Sequence, residues 1–248
     1  MSKLADAIRR SQRIESAPMG FGAARSEPRP SMLVGYFGAE GDAPKACDAG
    51  ADFLLIDARN GSVDAAKLRG AAGDLPLGAW TTAQDSAAAK TLREGGIDFL
   101  VVAEDSPAAS LLDDDLGYVL ALPSQPEETF LRSLEPLSLE ALLLYNIPSP
   151  LTVAGELELG RTGALARRPM LCETAATASA DDLQCLRAAG VAGVMTDAGG
   201  IAQLKETVKS LPQRKARGEN RAVVSLPRGQ APAAEGEGDD DDRVDAGA

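Results

Sequence analysis

The chain contains no histidine in 248 residues. That absence removes every Ser-His, Cys-His and His-metal arrangement, so acid–base work falls to Asp, Glu, Lys, Tyr or Cys. Aromatic residues make up only 4% of the chain against 44% apolar residues, and a core must be built chiefly from aliphatic side chains and alanine. Long apolar runs are missing too. No stretch reaches the roughly 18 to 20 residues that span a bilayer, and the opening MSKLADAIRRSQRIE lacks the apolar segment of a secretory signal; a cytoplasmic location is the expectation. The three cysteines, Cys47, Cys172 and Cys185, have no metal-ligand spacing, and an odd number of them predicts reduced thiols rather than a disulfide framework.

Charge is plentiful but uneven. Residues 1–31 carry six basic and three acidic side chains, 32–213 carry 13 and 26, 214–230 carry five and one, and 231–248 carry one and seven. The acidic body disfavours nucleic acid or an anionic membrane as a partner. The polyacidic end, which is rich in Gly and Pro, predicts a disordered tail. Its apolar island RAVVSLP, residues 221–227, would suit a protein partner.

One phrase recurs along the body: GADFLLID from Gly50, GIDFLVVAE from Gly96 and GVAGVMTD from Gly190. Each runs from a glycine through an apolar segment to an acid. Strand-length apolar runs in fact occur eight times, over 32–37, 52–57, 75–80, 97–104, 117–122, 139–146, 169–173 and 191–197, with starts some 20 to 30 residues apart. That interval is one strand–loop–helix–loop unit, and the runs are apolar on consecutive residues, as strands covered on both faces should be. Helix starts are expected at Ser106-Pro107 and Ser149-Pro150, with Asp85 and Ser179 as further N-caps and Ser62 as a cap after the second strand. Gly50, Gly96 and Gly190 read as left-handed helix stops.

Eight such units predict an α/β fold, a compact (β/α)8 TIM barrel over 32–213, with an N-terminal arm (1–31) and a tail from residue 214. Leu4, Ala7, Ile8 and Ile14 mark one side of a short helix in the arm that would plug the N-terminal face of the barrel. An open doubly wound sheet is the rival. It lacks its GxGxxG after the first strand, where the chain reads GYFGAEGDA.

In a barrel of this kind chemistry sits where the strands end. Those ends carry Asp57 with Arg59, Trp80, Glu104, Asn146, Glu173 with Thr174, and Asp197. Acids converging on one mouth would repel one another, raising some pKa values or recruiting a cation, either Arg59 or a divalent ion such as Mg²⁺ held by Glu104 and Asp197. Any of them can also be a helix cap or half of an ion pair, and Asp-Ala-Gly-Gly from Asp197 can be a plain turn. The seven lysines (3, 45, 67, 90, 205, 209 and 215) avoid the strands, which argues against a Schiff-base mechanism. Cys172, next to Glu173, reads as a buried structural thiol.

Residues 170–197, MLCETAATASADDLQCLRAAGVAGVMTD, resemble the strand-seven to strand-eight unit of phosphate-binding aldolase-type barrels, such as indole-3-glycerol-phosphate synthase and thiamine-phosphate synthase. The shared elements are the Glu ending strand seven, the Ser/Thr-x-Asp-Asp helix start, the Ala-Gly-Val and the eighth strand. The resemblance implies a phosphate seat at Gly199 and Gly200. It departs from the family at Thr174-Ala175-Ala176, where Ser-Gly-Ile is usual.

The expectation is a lyase or isomerase acting on a carboxylated or phosphorylated metabolite. Glu173 and Asp57 are its base and acid or metal ligands, Asn146 and Thr174 its hydrogen-bond donors, and Arg59 its anion partner. Two alternatives stand beside it: a non-catalytic barrel used as a scaffold or binding protein, and an FMN-dependent oxidoreductase using the same phosphate region.

Overall fold

The computed structural model describes residues 2–12, 32–82, 85–123 and 125–212; the predicted loop after Ile14 and the predicted tail, with its apolar island, lie outside them. Eight parallel strands pair in chain order, and the eighth pairs back to the first. They are β1 (Leu33–Gly38), β2 (Phe53–Ala58), β3 (Leu77–Thr81), β4 (Phe99–Val102), β5 (Gly117–Ala121), β6 (Ala141–Leu144), β7 (Met170–Glu173) and β8 (Val191–Thr196). The closed TIM barrel expected from the repeat is therefore the fold. Its helices are α1 (Lys3–Gln12) before the barrel, then α2 (Ala43–Asp48), α3 (Ala65–Ala72), α4 (Ser86–Glu94), α5 (Glu128–Ser133), α6 (Val153–Ala166), α7 (Ala180–Ala188) and α8 (Ile201–Ser210). Between β4 and β5 the connection is a 3₁₀ segment, Ala108–Leu112, in place of an α-helix. Among the described residues no helix is long and apolar enough to cross a membrane.

Two apolar layers follow from the alternation of side chains along each strand. Val34, Tyr36, Leu54, Ile56, Leu100, Leu142 and Cys172 face the helices, whereas Leu33, Phe53, Leu55, Phe99, Val101, Val119, Leu143 and Met195 fill the barrel interior. With few aromatics available, the interior uses two phenylalanines over two glycines. A Cβ at Gly35 would stand 2.2 Å from the Phe53 ring, and one at Gly78 would stand 2.2 Å from that of Phe99. Bare backbone on β1 and β3 makes room for the ring of the next strand.

The N-terminal face is closed by α1, whose Leu4, Ala7 and Ile8 are buried with the interior residues, as the arm's apolar side implied. The Ser2 backbone N–H donates to Glu140 at 3.0 Å and the Ser2 hydroxyl also donates to that carboxylate, tying the start of α1 to the residue before β6. On the same face lies a function for the repeated Gly-x-Asp. Asp52 accepts from the Val34 N–H at 2.9 Å and Asp98 from the Leu77 N–H at 2.9 Å, so each carboxylate satisfies a donor at the start of the preceding strand. Lys205 pairs with Asp52 and Arg69 with Asp98.

The glycine stops hold: Gly50, Gly96 and Gly190 have φ of 84°, 99° and 102°. So do two caps. Asp85 accepts from the Ala88 N–H at 2.7 Å and Ser179 from the Asp182 N–H at 3.0 Å. The other three predicted starts shift. Asp64, not Ser62, caps α3, and Thr152, three residues beyond Ser149, caps α6. Ser106 accepts from the Ala103 N–H at 2.9 Å in a turn, and no α-helix follows it. Each mistaken serine has a better-placed neighbour or too short a following segment. Strands β4, β6 and β8 also end before the last residue of their apolar runs, which leaves Glu104, Asn146 and Asp197 in the loops beyond.

Candidate active site

The C-terminal rim is organised around Trp80, the chain's single tryptophan. Trp80 stands opposite Asp57 in the β2–β3 register and is buried, 7% exposed. Its ring lies 6.1 Å from that of Phe37 at the end of β1 and 5.7 Å from that of Tyr145 just past β6, both tilted contacts of the kind aromatic pairs prefer. These three side chains roof the interior at the mouth. Above them the Arg59 guanidinium lies 4.0 Å from the centre of the Trp80 ring.

Arg59 is held there from the side. Its Nε donates to Asp57 Oδ1 at 2.8 Å and its Nη2 to Asp57 Oδ2 at 2.7 Å, a two-pronged bridge between residues two apart. The hydrogen bonds from Arg59 hold the Asp57 carboxyl below the usual carboxylate range. The bridge to Asp57 raises Arg59 in turn, and the negative field of Glu173 adds to that rise. Asp57 is therefore an ionised positioning group for Arg59, which does not suit the role of proton-donating acid expected for it. Two nitrogens serve the bridge, so Nη1 and the second Nη2 proton remain to meet an anion.

Glu173 ends β7, half-buried, and its carboxylate forms no hydrogen bond or ion pair among the described residues. It stands closely enough to Arg59 to act on it electrostatically. Thr174 follows, its N–H donating to the Met195 carbonyl at 2.9 Å. The structure thus brings Asp57, Arg59 and Glu173 to one rim and adds Trp80 and Tyr145.

The other expected residues lie in the loops beyond the strands. Glu104 is exposed in the turn after β4. Asn146 is exposed with a left-handed φ of 59°, and its neighbour Tyr145 occupies the inward position. Strict alternation along Ala141, Leu143 and Tyr145 carries that signal in the sequence. Asp197 Oδ1 accepts from the Gly200 N–H at 3.0 Å, making the turn that opens α8. Among the described residues no three His, Cys, Asp or Glu side chains gather to hold a metal ion. Cys172 lies in the outer layer, where burial pushes its thiol up.

The implied phosphate seat is likewise occupied by the protein's own groups. Gly200 is buried and its missing Cβ makes room for Ala176, 2.4 Å from where that atom would stand. Its N–H already serves the Asp197 carboxylate. Gly199 is exposed beside the same carboxylate.

Comparison with solved structures agrees with the fold. Thiamine phosphate pyrophosphorylase from Pyrococcus furiosus superposes with a TM-score of 0.56 at 12% identity, over 73% of this chain and 96% of its own. KGPDC from Streptococcus mutans gives 0.57 at 13%, over 72% and 97%, and a 3-hexulose-6-phosphate synthase gives 0.55 at 13%, over 71% and 99%. The shared property is the barrel. At such identities the likeness to these enzymes extends to the architecture alone. No family model and no curated protein matches the chain.

Proposed function

We propose that the C-terminal rim binds a small carboxylated or phosphorylated metabolite and that the protein is a lyase or isomerase with Glu173 as its base. The observation that carries this reading is the state of Glu173: a half-buried carboxylate at a barrel strand end, without a side-chain partner among the described residues, beside a positioned arginine. Arg59 receives the anionic group of the substrate through Nη1, while Asp57 and Trp80 hold the guanidinium plane fixed. Glu173 takes a proton from the carbon next to a carbonyl and returns it on a neighbouring atom. In this reading Thr174 and the Tyr145 hydroxyl hold the carbonyl oxygen. The proposal uses no metal, and it places the anion at Arg59 in preference to Gly199 and Gly200. An FMN phosphate would need the same Gly200 N–H that Asp197 occupies.

A second reading has its own support. The aromatic roof, the Asp57–Arg59 bridge and the Asp197 cap satisfy most of the rim internally, which suits a barrel that binds or scaffolds without turnover.

A thermal-shift screen of sugar phosphates and keto acids separates them, because a ligand that binds only the native state raises the melting temperature with occupancy. The catalytic reading expects at least one protecting ligand and a Glu173→Gln variant that melts within about 2 °C of wild type yet loses about 100-fold or more in turnover. A destabilised Glu173→Gln, or a wild type that no ligand protects, overturns it.

A further inference from the structure

At the opposite end of the barrel from the rim, the ends of α5 and α6 and the turns after them line an open cleft of about 560 Å³. Three of its lining side chains are Arg132, Arg167 and Arg168, and Glu135 is its one acid. This concentration is unusual for a body in which 26 acidic residues outnumber 13 basic ones.

Ordinary structural duties account for only part of it. Arg168 Nη2 donates to the carbonyl oxygens of Glu135 at 3.3 Å and Leu137 at 2.9 Å, pinning the turn before β6. Arg167 follows α6, where a cation offsets a helix C-terminal partial charge of about −0.5. Once that partial charge, the like one at the end of α5 and Glu135 are set against three guanidinium groups, about one positive charge remains. The Arg167–Glu135 pair is long, 3.9 Å, with both side chains 80% exposed, so solvent screens it. Arg132 makes no hydrogen bond or ion pair among the described residues. Arg168 Nε is buried with no hydrogen-bond partner among them.

We propose that this cleft is a second anion site, for a small phosphorylated molecule, separate from the rim. Guanidinium groups present paired N–H donors that match phosphoryl oxygens, and Arg132 and Arg167 line the cleft from two different elements. The cavity volume lies within the range of about 300 to 1,000 Å³ usual for small-molecule sites.

The test is calorimetric titration of the full chain with inorganic pyrophosphate at constant ionic strength, on wild type, an Arg132→Gln/Arg167→Gln double variant and Arg59→Gln. Both arginines in the double variant are exposed, and circular dichroism checks that the fold is retained. The expected result is a saturable binding event that weakens at least tenfold in the double variant and persists in Arg59→Gln. Absence of binding to wild type, equal binding to the double variant, or loss confined to Arg59→Gln overturns the proposal.

Discussion

Asp57 shows how one residue's chemistry is decided by its neighbour. As the last member of an apolar run it reads as a candidate acid, yet Arg59 two residues on converts it into a fixed anion. The linkage has a definite sign. A carboxyl whose folded pKa lies below its unfolded value stabilises the fold above an unfolded pKa of about 3.9, and that contribution disappears as pH falls through the folded value. Asp57→Asn is therefore expected to lower the urea midpoint at pH 7, with the difference from wild type shrinking below about pH 4. An equal difference at both pH values would mean that Asp57 acts through something other than its charge. The bridge between Asp57 and Arg59 was legible as adjacency; the guanidinium's place over Trp80 was not, because residues 59 and 80 meet only through the β2–β3 pairing.

Among the elements, the strands are the most legible and their ends the least. An apolar run marks what is buried, whereas a strand ends where its pairing ends, and β4, β6 and β8 lose their partners before Glu104, Asn146 and Asp197. Glycine had two meanings in the sequence and only one was visible there. Gly50, Gly96 and Gly190 stop helices by their left-handed backbone, a local property. Gly35 and Gly78 lack a side chain because a phenylalanine of the next strand lies over them, a tertiary property. Gly78→Ala should cost about 1 to 3 kcal/mol by overpacking the Phe99 ring. Phe99→Leu in the same chain should recover part of that loss in a double-mutant cycle of urea unfolding, since the two sites share one space. Additive losses would show that the ring is not what Gly78 accommodates.

For the whole molecule, closure requires both ends of the barrel to be dealt with. The rim is roofed by Phe37, Trp80 and Tyr145, and the opposite face by α1, with Leu4 fully buried. Leu4→Ala leaves a void at that face and is expected to cost about 2 to 5 kcal/mol in denaturant unfolding. A change under about 0.5 kcal/mol, as for an exposed position, would mean that α1 is not docked in solution.

The sequence by itself determined the number of staves, their order, the barrel and the three glycines that turn α2, α4 and α7 into the next strand. Those features are written in short-range periodicity and in backbone preferences, which need no distant partner. Tertiary structure alone decided which rim acids are spent. Asp197 is consumed by the start of α8 and Asp57 by Arg59, and Glu173 is left without a partner among the described residues. Tertiary structure also placed three arginines from two elements in one cleft. A carboxylate's availability depends on the donors that reach it in space, and that is settled only when the barrel closes.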